Sequence, residues 1–172
     1  SNLHFTYNGA GNESVLKNIN LHIPQNKTTA IVGASGRGKT TLIKLLLRFY
    51  DPTQGDILIG SEQYGVQTNL KNTSHRNWRN NIGVVMQEGY IFSDTIANNI
   101  AIKDENPDME KLMEACRIAN ILEYVQNLPL GFNTKIGAEG NGISSGQRQR
   151  LLIARAVYKN PPYIFLDEAT NA

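Results

Sequence analysis

The chain has 172 residues, of which 40% are hydrophobic and 19% charged, with a net charge of +2. This length and composition fit one globular domain with a sizeable core, and the balanced charge argues against a nucleic-acid-binding protein. The single cysteine, Cys116, excludes an internal disulfide, indicates a reducing compartment, and lies at the helical spacing of a buried core thiol.

The N-terminal half is predicted to form short strands followed by a helix. Alternating apolar residues over 15–23 and the β-branched run at 28–32 each predict a strand. A glycine cluster follows, and the apolar spacing over 39–49 predicts a helix. Two further strands are predicted at 56–59 and 82–86.

From residue 87 onward the apolar spacing becomes helical. The segment 106–108 supplies a capping residue, a proline and an acid, which is typical of a helix start. Residues 144–158 predict another helix, and 163–166 form a continuous apolar strand. Because strands alternate with helices, we expect an α/β fold around a mostly parallel sheet, with 87–150 as a helical insertion.

A complete phosphate-loop pattern, G-x-x-x-x-G-K followed by Ser or Thr, lies between the strand at 28–32 and the next helix. Glycines let backbone N–H groups turn toward phosphate oxygens, and the helix N-terminus adds partial positive charge. Lys39 is expected to reach the β- and γ-phosphates, Thr40 to ligate Mg²⁺, and Thr41 to touch the α-phosphate. The alternative is a glycine-rich turn with an accidental lysine. The predicted nucleotide-binding residues here are Gly33, Ser35, Gly36, Gly38, Lys39, Thr40 and Thr41.

Two acids, Asp167 and Glu168, follow the apolar strand at 163–166. Ligands of open α/β sheets bind at the carboxyl ends of strands. We therefore expect Asp167 to hold Mg²⁺ and Glu168 to orient or deprotonate an attacking water. A solvated turn is the alternative for this pair taken alone.

Residues 143–150 read Ile-Ser-Ser-Gly-Gln-Arg-Gln-Arg and form the most specific segment. Ser144 with Gln147 three residues later predicts a capping box at a helix start. This segment either only begins a helix, or binds an anion such as a γ-phosphate through its N–H groups and the Ser144 hydroxyl.

With this segment the chain resembles the nucleotide-binding domain of ABC transporter ATPases, whose signature is Leu-Ser-Gly-Gly-Gln followed by a basic residue, Gln and Arg. The chain departs from it at Ile143, a mild apolar change, and at Ser145, where a serine replaces a glycine and is expected to crowd nucleotide or perturb the turn. The signature matches are Ser144, Gly146, Gln147, Gln149 and Arg150.

The resemblance covers essentially the whole chain and implies a single ABC ATPase domain over 1–172. Its implied fold is a P-loop NTPase, RecA-like core with an N-terminal antiparallel β subdomain in 1–86 and 151–172. A helical subdomain that includes the signature occupies 87–150. The family continues past the position of Ala172, so the resemblance implies a C-terminally truncated domain without its last strands and helices, which binds nucleotide weakly and hydrolyses it poorly.

Several residue roles come from the resemblance alone. Tyr7 is expected to stack on adenine, a contact of the kind that aromatic residues make with bases. Gln87 is expected to bind Mg²⁺ through its side chain. It is also expected to act in catalysis together with Lys39 and Glu168. Family members pair head to tail, so the signature of one domain acts on its partner's nucleotide. The residues expected to do so are Ser144, Gly146 and Gln147.

Exporter-like detail follows at 88–100 and 136–140, where Glu139 matches a glutamate that contacts the membrane domain. Residues 167–172 are similar to bacterial peptide and bacteriocin exporters. The resemblance thus implies an ATPase at the cytoplasmic face of the membrane, which uses ATP and Mg²⁺ to power export of a substrate. The similarity of residues 167–172 makes a peptide the candidate substrate. The implied partners of this ATPase are a second nucleotide-binding domain and a transmembrane domain, and no nucleic acid.

Two other classes stay open. A soluble ABC ATPase of DNA repair or translation would use the same site, although the long coiled coil of repair types is missing between the phosphate loop and the signature. A non-catalytic regulatory module is slightly favoured by Ser145 and opposed by Lys39, Asp167 and Glu168. The basic residues Arg148, Arg150 and Arg155 lack interleaved aromatics, so we expect them to form a solvated helix face.

Overall fold

The computed structural model describes residues 2–9, 13–61, 65–86, 89–102, 104–137 and 142–167. The chain forms two compact units, Ser1–Arg79 and Asn80–Ala172. This division falls a few residues before the predicted boundary at 86. The assignment of 87–150 to a separate helical subdomain stays a prediction.

The described part of the first unit contains two antiparallel strand pairs, two short α-helices and one turn of 3-10 helix at Leu70–Asn72. The elements in order are β1 (Leu3–Phe5), β2 (Leu16–Ile19), α1 (Lys39–Leu46), β3 (Leu58–Ser61), β4 (Val66–Asn69) and α2 (His75–Asn80). β1 pairs with β2, and β3 pairs with β4 in a hairpin. The apolar core of this unit joins β1 and β2 to α1 through five buried side chains: Leu3, Phe5, Leu16, Leu42 and Leu45.

The strand predicted at 28–32 is wrong. The structure assigns no strand there, and Val32 is 89% exposed. An extended run becomes a strand only where a neighbour pairs with its N–H and C=O groups. Among the described residues, no backbone hydrogen bond joins this run to a neighbouring strand. The predicted strands at 15–23 and 56–59 are also shifted, to Leu16–Ile19 and Leu58–Ser61.

The helix predicted at 39–49 ends earlier, at Leu46, because tertiary contacts hold the chain that follows. Arg48 adopts a left-handed φ of 59°, and its guanidinium donates to the carbonyls of Lys71 and Thr73. The indole N–H of Trp78 donates to the Leu46 carbonyl at 3.0 Å. These bonds stabilise the end of the helix against its continuation.

The alternation of strands and helices predicted a mostly parallel sheet. Among the described residues this sheet is represented by one parallel strand pair in the second unit, and the other three strand pairs are antiparallel. The described elements of the second unit are β5 (Ile82–Val85), β6 (Asp94–Thr95), α3 (Ile96–Ile100), α4 (Met109–Ile118), α5 (Leu122–Gln126), β7 (Lys135–Ile136), α6 (Ser145–Tyr158) and β8 (Tyr163–Leu166). β5 and β8 are parallel, whereas β6 and β7 are antiparallel. The strand predicted at 163–166 is confirmed, and the strand predicted at 82–86 is one residue shorter.

Helix α6 is the centre of the second unit, where it packs on α3, α4 and β5. The packing of α6 on β5 requires Gly83, because a Cβ there would lie 2.4 Å from the Ala156 carbonyl oxygen and 2.9 Å from Pro161 Cγ. Cys116 in α4 is fully buried, as its spacing predicted, and burial raises the pKa of its thiol to about 12.

Candidate functional site

The phosphate loop at 33–40 takes a backbone conformation that only glycine adopts without strain. Gly36 and Gly38 have φ values of 76° and 86°, in the left-handed region that a Cβ disfavours. Gly38 caps α1, and a Cβ at Gly38 would lie 2.7 Å from Leu16 Cδ2. A Cβ at Gly33 or Gly36 would meet no atom within 4 Å, so the space beside these two glycines is open.

Positive charge is concentrated where this loop enters α1. The Lys39 ammonium donates to the carbonyls of Gly33 and Ala34 at 2.7 and 2.9 Å, which holds it across the loop. The first intrahelical bond runs from Leu42 N to Gly38 O, so the positive end of α1 faces the loop. Together with the glycine backbone, this donor set fits a phosphate anion.

Tyr7 lies in the same unit as the loop and is linked to it through Thr41. The two hydroxyl oxygens are 3.1 Å apart, and Thr41 is only 8% exposed. The Tyr7 ring, in a residue that is 37% exposed, also makes perpendicular contacts with Phe5 and Tyr50, at centroid distances of 4.8 and 5.3 Å. The residues predicted to contact the base and the α-phosphate therefore contact each other.

Asp167 lies directly after β8, at the carboxyl end of the parallel pair, where sequence reasoning expected it. It is 6% exposed, and its N–H donates to the Val85 carbonyl at 2.9 Å, which continues the β5–β8 ladder by one residue. Gln87, Glu139 and Glu168 lie outside the described residues. Within the described ranges, no group of three or more His, Cys, Asp or Glu side chains is arranged to hold a metal ion.

The signature segment begins α6 with the predicted capping box. The N–H of Gln147 donates to Ser144 Oγ at 3.2 Å, and the N–H of Ser144 donates to Gln147 Oε1 at 2.9 Å. Ser145 is the exposed first residue of the helix, and its effect on nucleotide binding stays a prediction. Gly146 has an ordinary φ and open space around a Cβ, so the backbone itself does not require glycine there.

Three arginines of α6 make contacts that sequence reasoning missed. Arg148 and Arg150 are exposed, as expected of a solvated helix face, whereas Arg155 is half-buried and the expectation is wrong for it. Arg148 and Arg150 each donate to one distant carbonyl, of Gly89 and Asn120. Arg155 donates to the carbonyls of Asn99 and Tyr90, both at 2.7 Å. Burial lowers the pKa of the Arg155 guanidinium. No local pattern reveals these contacts, because the acceptors of Arg155 lie 56 and 65 residues away in sequence.

The comparisons with known proteins agree with these features. The model of the ABC transporter family matches residues 16–171. The chain is 44% identical over 172 residues to the ATP-dependent lipid A-core flippase of Haemophilus influenzae, and 45% identical over 169 residues to a putative multidrug export ATP-binding/permease protein of Staphylococcus aureus. The match covers 99% and 98% of this chain, and 28% of each relative.

A solved structure also resembles the chain. A bacterial Atm1-family ABC exporter with ATP bound has a TM-score of 0.86 and 35% identity, over 99% of this chain and 29% of that one. The chain therefore belongs to the ABC transporter family, and its fold is that of an ABC ATPase domain, a P-loop NTPase. The chain spans 28% of the length of each of these two curated relatives. Among the helices of the described residues, none combines the length and apolar character that a membrane crossing requires.

Proposed function

We propose that this chain is the ATP-binding and ATP-hydrolysing domain of an exporter. The observation that carries the proposal is the phosphate loop, where left-handed Gly36 and Gly38 precede α1 and the Lys39 ammonium lies across the loop carbonyls. The exporters among the relatives favour transport over a role in DNA repair or translation.

In this proposal Lys39 and the loop N–H groups bind the β- and γ-phosphates, and Glu168 orients the attacking water. Thr40, Gln87 and Asp167 are each proposed as ligands of Mg²⁺, which prefers hard oxygen donors. When bound, Mg²⁺ neutralises charge on the phosphates. The role of each of these residues rests on the family resemblance and on its residue type.

The test is calorimetric titration of the chain with MgATP, beside Lys39→Ala. Loss of a charged hydrogen bond of about 1.5–3 kcal/mol predicts an affinity at least about tenfold lower for this variant. Lys44→Ala, in the same helix, removes the same charge away from the loop and should bind as the wild type does. Equal affinities for all three proteins would contradict the assignment of the phosphate loop.

We also propose that two copies pair head to tail, so that Ser144, Gly146 and Gln147 act on the partner's nucleotide. Glu168→Gln should slow hydrolysis and accumulate a MgATP-dependent dimer, measured by light scattering. Adding Gly146→Glu should abolish that dimer while the monomer stays folded, because the position is open in the single chain. A dimer that persists in the double variant would place the pairing surface elsewhere.

The transmembrane partner, the cytoplasmic location and the transported molecule belong to the same proposal. The relatives are named as a lipid A-core flippase and a putative multidrug exporter, and the expected peptide substrate of this chain stays a prediction. The expected weak hydrolysis is measured as the rate of phosphate release from MgATP by the wild-type chain, compared with the rate of the Glu168→Gln variant.

A further inference from the structure

Tyr7, which is expected to stack on adenine, belongs to a cluster of three aromatic rings. Its ring makes perpendicular contacts with Phe5 and Tyr50, at interplanar angles of 84° and 89°, and the Phe5 and Tyr50 rings lie 5.5 Å apart. Among the described residues, Phe5 and Tyr50 are the two whose rings contact Tyr7. Because the energy of such ring pairs depends on their orientation, the two neighbours favour one angle of the Tyr7 ring.

The two supporting rings differ in their own surroundings. Phe5 is 4% exposed and belongs to the apolar core of the first unit, so the packing of that core explains its position. Tyr50, which follows α1, is 43% exposed and is not one of the buried side chains of that core. Core packing therefore does not explain a ring at position 50, and its contact with Tyr7 needs another explanation.

Backbone hydrogen bonds hold the segment that follows Tyr50 against the strand that leads to Tyr7. The N–H of His4, in β1, donates to the Gln54 carbonyl at 3.0 Å. The N–H and the hydroxyl of Thr53 both donate to the His4 carbonyl, each at 3.0 Å. His4 lies three residues before Tyr7, and Thr53 lies three residues after Tyr50. These bonds bring the two tyrosines together in the chain without a ligand.

We infer that Tyr50 is a positioning residue that holds the Tyr7 ring in the orientation for stacking, so that it raises the affinity for the base and not for the phosphates. This inference rests on the proposed function, in which Tyr7 stacks on adenine. Tyr7 is 37% exposed, so the supported residue still presents surface to a ligand. A ring that is already held loses less freedom when a base binds, so Tyr50 increases the affinity without contacting the nucleotide.

Tyr50→Leu tests this inference, because it removes the ring and keeps an apolar side chain. The ligands are MgATP and magnesium triphosphate, which lacks the base and the ribose, and both affinities are measured by calorimetry. Loss of one aromatic pair predicts an affinity for MgATP that is about three- to tenfold lower, with triphosphate affinity changed by less than about twofold. Tyr50→Phe keeps the ring and should bind MgATP within about twofold of wild type.

Phe49→Leu is the matched control, because it removes a neighbouring aromatic ring that is 53% exposed. Among the described residues, no ring contact joins Phe49 to Tyr7. This variant should bind both ligands as the wild type does. If Tyr50→Leu does not give a folded chain by circular dichroism, Tyr50→Met carries the same expected results, because its flexible side chain fills irregular gaps.

A double variant shows whether Tyr50 acts through Tyr7. In the Tyr7→Ala background, Tyr50→Leu should cause no further loss of MgATP affinity, since the ring that it supports is gone. A further loss there would overturn the inference, because Tyr50 would then contact the base itself. Equal losses of MgATP and triphosphate affinity in the single variant Tyr50→Leu would also overturn it, as would unchanged affinity for MgATP.

The wild-type chain separates this inference from the proposed function. If it binds triphosphate and MgATP with equal affinity, the assignment of the phosphate loop stands, but Tyr7 does not contact the base and the inference fails alone. If it binds neither ligand while circular dichroism shows a folded chain, the proposed function fails and the inference fails with it.

Discussion

Removal of the Arg155 guanidinium should strongly destabilise the second unit. Its Nε and Nη1 atoms donate to the carbonyls of Asn99 and Tyr90 at 2.7 Å, and Nη2 donates to Asn99 Oδ1 at 3.2 Å. The same group lies over the Phe92 ring, 5.5 Å from its centroid. Within the described residues, no carboxylate lies within 4 Å of it, so backbone acceptors stabilise this charge.

The expected decrease in the free energy of unfolding follows from the acceptors that lose their hydrogen-bond donor in Arg155→Met. Asn99 Oδ1 still accepts from the Phe92 N–H at 2.8 Å, so only the two carbonyls lose a short, charge-assisted bond. At about 1.5 kcal/mol each, the low end for such bonds, the free energy of unfolding should fall by about 3 kcal/mol. Arg155→Lys keeps the charge but lacks the planar fork, so it should recover less than half of the loss.

The assay is urea unfolding followed by circular dichroism, with the slope of the free energy against urea compared between variants. Arg150→Met is the matched control, because it removes the same charge from the same helix and breaks a single 3.2 Å bond. It should cost about 0.5 kcal/mol or less. A loss for Arg155→Met that equals the loss for Arg150→Met would refute the reasoning, because burial and geometry would then make no difference.

Three further predictions follow from packing and backbone geometry. Gly83→Ala places a Cβ 2.4 Å from a carbonyl oxygen and should lower the free energy of unfolding by about 1–3 kcal/mol in a urea titration. The control is Gly142→Ala, because a Cβ at Gly142 meets no atom within 4 Å. Gly38→Ala and Gly36→Ala share the strain of a positive φ, but only a Cβ at Gly38 would have an atom within 4 Å. Gly38→Ala should therefore lose more affinity for MgATP, measured by calorimetry, and equal losses for the two variants would contradict this prediction. Burial raises the pKa of the Cys116 thiol to about 12, so the thiol should react with a disulfide reagent at pH 8 only after unfolding, and fast labelling of the native chain would contradict its burial. The free energy of unfolding should also fall as pH rises from about 9 to 12, because the thiol of the unfolded chain loses its proton first.

The features predicted well from the sequence depend on neighbours close in the chain. The capping box of Ser144 and Gln147, the left-handed glycines of the phosphate loop and the buried spacing of Cys116 are each set within a few residues. A cap or a turn satisfies its own backbone groups, so its residue types predict it directly. The phosphate loop and the signature together also gave the family, which the comparisons confirm.

The features that sequence reasoning missed depend on partners far along the chain. The run at 28–32 has strand-forming residues, yet a strand also requires a neighbour that pairs with it. The acceptors of Arg155 lie 56 and 65 residues away, and Tyr7 lies 34 residues from Thr41. No residue type or spacing specifies such pairs, because packing of the core decides which side chains meet. The sequence alone therefore determined the phosphate loop and the signature, while only the tertiary structure decided which side chains hold them in position.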